Sequence, residues 1–376
     1  MADELSSLVE TRRVILFAGC GGVGKTTTCA ALGLAAARRG KRVLCLTIDP
    51  ARRLAESLGL ESVSSEPQRV LPEVFERAGF EVSGSLTMMM LDTKTTFDSL
   101  VASLAETAEK RDRILGNVLY KYISTKLAGT QEYMAMEKLY AVKDDPNYDI
   151  ILLDTPPTSH ALDFLDAPER LVGALDSPAV RWFLDAFQHS GHFSLNILKR
   201  TAATVLRGIG RITGAGFLEQ VAVFMGEIND LFGGWKQRAE RVSTALRGPD
   251  VAYVLVTTPD PMSLREVAFF AERLVAQGMQ PAAYVVNRVH PFALALADEA
   301  TIADALVNHG LSLGEGAAAR IAKAAAEEQR LAVLDRAEVA KLQTAAGATA
   351  AVVQVPDFPR DIHDVSRLAW VADVLG

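Results

Sequence analysis

A doubly wound α/β fold with a mostly parallel sheet and helical insertions is predicted for this chain, and three observations carry the prediction. Short β-branched or aliphatic runs recur along the sequence, helix-forming stretches separate them, and a Gly-rich turn at 19–26 joins the first run to the first helical stretch. Continuous apolar runs of this kind suit strands covered on both faces. Their alternation with helices is the pattern of a parallel sheet wound in both directions.

The series opens with VILFAG at 14–19, followed by the turn and by TTTCAALGLAAARR, rich in the best helix former, alanine. VLCLTID (43–49), LTMMMLD (86–92) and DIILLD (149–154) supply the next strands, with Met88, Met89 and Met90 read as core rather than as a soft client surface. AYVLVTT (252–258), AAYVVN (282–287) and AVVQVP (351–356) complete the set. Two long segments, about 95–147 and 168–248, lack such runs and instead repeat apolar residues at three and four, so they read as helical insertions. AAARIAKAAAEEQRLAVL (317–334) has the composition of a solvent-facing helix. No second Gly-rich turn occurs, so residues 1–376 are read as one nucleotide-binding domain with one site, its insertions forming a partner- or client-binding subdomain.

Composition narrows the function. The chain has 376 residues, 49% of them apolar, enough for a substantial core. Thirty-nine basic against 46 acidic residues give a net charge of −7, which disfavours a nucleic-acid footprint. The N-terminus lacks a charged-then-apolar leader, and no run reaches the roughly 18 apolar residues of a membrane span, so a cytoplasmic location is expected. The three cysteines, Cys20, Cys29 and Cys45, form no C-x-x-C pair, and neither zinc nor an iron–sulfur cluster is expected.

Gly19 to Thr26 fits G-x-x-x-x-G-K-T between a strand and a helix, the context in which that spacing cradles phosphates. Small residues let successive backbone N–H groups face one anion, the following helix adds its positive end, and Lys25 reaches the β- and γ-phosphates. Thr26 supplies a hydroxyl for Mg²⁺. Phosphoryl transfer also needs metal coordination and an oriented water, so carboxylates are expected at other strand ends. Asp49, before Pro50, and Asp154, before Pro156 and Pro157, meet that need.

Together, Gly-x-Gly-Gly-Val-Gly-Lys-Thr-Thr at 19–27, DPARRLAESLG at 49–59 and DTPPTSHALDFL at 154–165 resemble the deviant phosphate loop and the two switches of the ArsA-like ATPases. That family belongs to the dimerising P-loop NTPases and includes an arsenite-pump ATPase and a tail-anchored-protein targeting ATPase. The resemblance implies a Mg²⁺-dependent ATPase that closes and opens as a dimer. Gly19, Gly21, Gly22, Val23, Gly24, Lys25, Thr26 and Thr27 would bind the phosphates. Asp49 would orient or deprotonate the attacking water, and Asp154 would hold Mg²⁺ through a water. Asn287 would read adenine, with Pro356 and Phe358 in the adenine loop. His160 is read as a positioning residue rather than a base, and LAGTQEYMAMEKL (127–139) keeps only Glu132 of a family acidic segment.

Departures from the family matter as much. With no cysteine beyond position 45, a zinc clamp and thiolate binding of arsenite are not expected. At Cys20 the resembling family carries a lysine that crosses to the partner subunit's phosphates. Its loss points to a heterodimer with a lysine-bearing paralogue, or to a homodimer in which Arg52 or Arg53 substitutes. Residues 195–212, in a stretch free of acids between Asp185 and Glu219, place Leu195, Leu198, Ala202, Val205, Ile209 and Ile212 opposite Arg200, Arg207 and Arg211 on a helix. Such a basic amphipathic segment suits an anionic membrane surface or an apolar client; the competing reading is a core-packing helix with a solvated basic face. The purpose therefore stays open between a targeting factor coupled to a membrane-associated or hydrophobic partner, the soluble ATPase subunit of an anion pump, a MinD-like surface organiser and a small-molecule ligase.

Overall fold

The computed structural model describes residues 2–48, 58, 60, 64–118, 120, 121, 124, 130–155, 166–170, 172, 173, 178, 215–293, 295–347 and 350–376. Asp49, Arg52, Arg53, His160 and the 195–212 segment lie outside these residues. The strands are β1 (Val14–Gly19), β2 (Arg42–Thr47), β3 (Gln68–Arg69), β4 (Ser85–Met90), β5 (Ile150–Asp154), β6 (Val251–Thr257), β7 (Pro281–Val289) and β8 (Ala351–Pro356). The helices are α1 (Ala2–Thr11), α2 (Lys25–Arg38), α3 (Pro72–Arg77), α4 (Thr93–Leu104), α5 (Ala108–Gly116), α6 (Thr130–Val142), α7 (Ala215–Leu246), α8 (Pro261–Ala276), α9 (Glu299–Asn308), α10 (Ala317–Ala346) and α11 (Val365–Leu375).

All eight strands form one sheet in the order β3-β4-β2-β5-β1-β6-β7-β8. Every pairing is parallel except the two-residue β3, which runs antiparallel on the edge. Each of the seven apolar runs is a strand, with ends displaced by a residue or two. β3, short and polar, carries no such signal. β1 lies between β5 and β6, with Phe17 level with Asp154 and Gly19 level with Val256, and β2 sets Thr47 level with Asp154 on the other side of β5. Because these strands are parallel, their carboxyl ends share one edge of the sheet, where ligands of open α/β sheets bind.

Helix α2 is apolar almost all round and buried from Thr28 to Ala37, as a helix must be when it lies over the sheet's centre. Its approach depends on Gly33: a Cβ there would fall 2.8 Å from Cys45 Sγ and about as close to Leu86 and Leu152. All three cysteines are free and buried. Burial pushes the Cys29 thiol up, and the neighbouring Cys45 thiol adds to the effect. At the opposite, amino-terminal edge of the sheet, Arg42 clasps Asp149 through Nε (3.1 Å), Nη2 (2.6 Å) and its backbone N–H (2.8 Å). This ties the start of β2 to β5. The Arg42 bonds hold the Asp149 carboxyl down at about 2. The long α10 is largely exposed over 317–334, as the sequence suggests, while Asp335, Val339, Leu342 and Ala346 beyond that stretch are buried, so its last turns pack.

These strands and seven of the helices belong to one compact unit, residues 1–90, 146–161 and 249–376; residues 91–145 and 162–248 form the other. The second unit has its own core, in which Phe97, Leu100, Tyr120, Tyr133, Met134, Phe224 and Trp235 are buried. Phe97 meets the edges of Trp235 at 5.1 Å and Tyr120 at 5.5 Å between centroids. Inside it, Glu137 is buried and receives Arg238 Nε at 2.8 Å, while the Arg238 guanidinium stacks 4.4 Å over the Tyr140 ring. Burial, with the Asp98 carboxylate that accepts from its hydroxyl, drives the Tyr120 phenol far up. Among the described residues no helix is long and apolar enough to cross a membrane.

Candidate nucleotide site

The Gly-rich turn leaves β1 at Gly19 and enters α2 at Lys25. Gly19 has no room for a side chain, since a Cβ there would lie 2.0 Å from the Val256 carbonyl oxygen of β6. Gly22 and Gly24 adopt φ +77° and +96°, the left-handed region that glycine enters without a steric penalty. Gly24 caps α2 with no side-chain hydrogen bond, so the first N–H groups of the helix face outward for an anion. Lys25 is buried, its Nζ donating to the Cys20 carbonyl at 2.7 Å, which folds the loop over its own lysine.

Thr26 and Asp154 meet as the motif reading requires. Thr26 Oγ1 donates to Asp154 Oδ2 at 2.5 Å, and Thr47 Oγ1 approaches the same oxygen at 3.3 Å. Asp154 is itself buried. A carboxylate and a hydroxyl, both hard oxygen donors beside a phosphate loop, fit Mg²⁺, which keeps several waters and takes few protein ligands. Thr155 locks the end of β5 to β1 by donating from its N–H (3.2 Å) and Oγ1 (2.7 Å) to the Phe17 carbonyl.

At the other end of the site, Asn287 follows the last residue of β7 paired with β6 and donates from Nδ2 to the Val23 carbonyl of the phosphate loop at 2.8 Å. Pro356 sits level with Val289 at the end of β8, and the Asp357 N–H donates to the Val289 carbonyl. Phe358 packs against Trp370 of α11, ring centroids 5.6 Å apart. Cys20 is turned inward: its thiol donates to the Ser263 carbonyl at the start of α8, at 3.5 Å, and only 6% of the residue is exposed. Glu132 lies in the second unit, with one carboxylate oxygen buried and, among the described residues, unbonded.

The structure thus gathers Gly19 to Thr27, Asp154, Asn287 and Pro356 at the carboxyl ends of β1, β5, β7 and β8. Thr47 and Thr155 are missing from the sequence reading. Thr47 could have been found from its place at the end of a strand of the same series; the Thr155 bond depends on strand order, which one strand's sequence does not carry.

The chain matches the family described as anion-transporting ATPase over residues 12–296. Similar proteins include one from Aquifex aeolicus named for an arsenical pump-driving ATPase, 23% identical over 283 residues, covering 74% of this chain and 64% of the relative. They also include the proteins named ATPase get3 of Pyrenophora tritici-repentis, 25% identical over 77% of this chain and 78% of the relative, and of Aspergillus terreus, 27% identical over 77% of each. The chain spans under two thirds of the Aquifex relative's length and over three quarters of each fungal one. On a match that covers most of its length and includes the phosphate loop, the chain belongs to the anion-transporting ATPase family.

Proposed function

We propose that the chain couples ATP hydrolysis, the reaction of its family, to the closing and opening of a two-subunit assembly, and that its helical insertions carry a membrane-associated or hydrophobic partner. The observation that carries the proposal is the joined arrangement of Lys25, Thr26 and Asp154 at one edge of the sheet, beside a Cys20 thiol turned away into the protein. The outward N–H groups at the start of α2 grip the β- and γ-phosphates, and Lys25 exchanges its bond to the Cys20 carbonyl for a phosphate oxygen. Thr26 and Asp154 would hold Mg²⁺, Asp154 through a water; the ion neutralises charge on the phosphates. Asp49 orients the attacking water, and Asn287 fixes the base.

A cation facing the phosphates from a second subunit accelerates phosphoryl transfer by about 10³–10⁵ in enzymes that use one. Cys20 supplies none, so a lysine-bearing paralogous subunit completes the site, in preference to a homodimer using Arg52 or Arg53. The name of one relative, for driving an arsenical pump, supports a partner on the output side, and the basic amphipathic sequence 195–212 is the segment proposed to meet it. The test is turnover of the isolated chain and of Cys20→Lys, with subunit mass measured in MgATP and in MgADP. Slow hydrolysis by the isolated chain, raised tenfold or more by the lysine, is expected. Rapid hydrolysis by a monomer in both nucleotides would refute the coupled assembly.

A further inference from the structure

We propose that the outer face of α10 pairs, antiparallel, with the same face of a second copy of this chain, about a two-fold axis at Leu334. The contact is independent of the ATPase reading, and α10 begins at Ala317, beyond the family match, which ends at residue 296. Leu334 is 62% exposed and Leu331 43%. Single exposed apolar side chains are ordinary on a protein surface. Here, however, Leu331, Leu334 and the exposed Ala337 follow one another at spacing three along a ridge, with the exposed Val333 beside them. The opposite side of the helix is already packed through Ala332, Asp335 and Val339, so the patch is free for a partner.

The order of the charges identifies the occupant as a second copy. At about 100° per residue, Glu327, Arg330, Leu334, Glu338 and Lys341 fall within an arc of about 80°, with Leu334 at its middle both along the helix and around it. Reversing the helix about Leu334 sets each acid against a base: Glu327 meets Lys341 of the partner subunit, and Arg330 meets the partner's Glu338. The two-fold repeats both pairs, so opposite charges flank the central leucine contact on either side, and Leu331 meets the partner's Ala337, a large side chain against a small one. Sliding one helix by three residues sets Glu327 against the partner's Glu338 or, in the other direction, Arg330 against the partner's Lys341. In-register parallel pairing sets every charge against its own kind. The pattern therefore favours one antiparallel register over its neighbours.

Inside one chain these charges are weakly committed. Glu327 reaches Lys323 only at 3.9 Å, Lys341 and Glu338 pair with each other at 2.6 Å, and Arg330 has no ion-pair partner among the described residues. Pairs this exposed contribute little to folding, so the side chains can turn to a facing helix at little cost. One helix pair makes a small contact of the weak class, and association in the micromolar range is expected. Burial of the leucines supplies the attraction, and the charges set the register.

The experiment measures the mass of the isolated full chain by sedimentation across a concentration series without nucleotide, so that an assembly closed by ATP is not what is read. A reversible monomer–dimer equilibrium is expected. Leu334→Glu should raise its dissociation constant about tenfold or more, since the axis brings two carboxylates together where two leucines were buried. The side chain is exposed in the monomer, so the thermal midpoint should move by no more than about two degrees. The decisive pair is Arg330→Glu and Glu338→Arg. Each alone faces like charges across the axis and should dimerise about fivefold more weakly, whereas an equimolar mixture has opposite charges at every contact and should recover the wild-type affinity. Mixing cannot rescue a folding defect. A wild type that stays monomeric at about 100 μM, or a dimer indifferent to Leu334→Glu, would overturn the proposal. A mixture that associates no more strongly than its components would overturn the antiparallel register about Leu334.

Discussion

Gly19→Ala tests how firmly the sheet positions the phosphate loop. The added methyl carbon would lie 2.0 Å from the Val256 carbonyl oxygen and 3.0 Å from its carbon, both backbone atoms of the adjacent strand β6. Carbon–oxygen contacts become ordinary near about 3.3 Å, so roughly 1.3 Å must be found. The sheet cannot supply it, because β1 and β6 are in register from Val14 to Gly19 and paired strands keep a spacing of about 4.8 Å. The displacement falls on the segment that leaves the strand, which is the loop carrying Lys25 and Thr26. A misplacement near 1 Å costs on the order of a hundredfold in rate, and an overpacked core position about 1–3 kcal/mol in stability. Phosphate release at saturating MgATP should therefore fall by about a hundredfold, while the thermal midpoint drops by only a few degrees. Gly22→Ala is the comparison: its φ is +77° but nothing lies within 4 Å of the new methyl, so it meets backbone strain alone and loses less. Turnover of Gly19→Ala within threefold of wild type would refute the argument, as would a larger loss in Gly22→Ala.

Lys25→Ala removes the one buried lysine of the loop and should lower hydrolysis by on the order of 10³ while weakening ATP binding, as measured by single-turnover assay and calorimetry. Asp149, held near 2 by Arg42 against an ordinary value of about 3.9, contributes stability that is complete above about pH 4 and disappears as the pH falls toward 2. Denaturant melts across that window should show the loss, and Asp149→Asn should flatten it; an unchanged slope would remove Asp149 from the acid response. Arg238→Ala leaves the Glu137 carboxylate buried without its cation and should cost about 3–5 kcal/mol, with most of the loss recovered by adding Glu137→Gln. Failure of the second change to restore stability would show that Arg238 acts through its stacking on Tyr140.

The seven apolar runs were legible because a strand buried on both faces leaves a continuous signature in one stretch of chain. The loop from Gly19 to Thr26 was legible because strand, spacing and helix occur consecutively. What depends on strand order was not: that Thr47, Phe17 and Asp154 stand level follows from β2 and β1 flanking β5, and nothing in the local sequence of any one of them says so. The Asn287 bond to Val23 joins residues 264 apart, and the inward turn of the Cys20 thiol needs the carbonyl of Ser263. The packed end of α10 lies beyond the stretch read as solvent-facing, and its polar residues disguise it: Asp335 is buried yet accepts from the His290 backbone N–H at 2.8 Å and from the ring at 2.7 Å, which satisfies it inside the protein.

The strand order also has a consequence for how the molecule comes into being. β1 is made before both its neighbours, which begin at Ile150 and Val251, and each of these arrives only after one of the two stretches that build the other unit. Contacts this distant form slowly, since long intervening loops must close first. A growing chain therefore displays its Gly-rich turn long before Asp154, Val256 and Asn287 exist to shape it, and the Val23 carbonyl meets its Asn287 partner only once β7 is made. A ligand that binds only the finished arrangement stabilises it by mass action, so a nucleotide held at this loop would favour the paired late strands over the open chain.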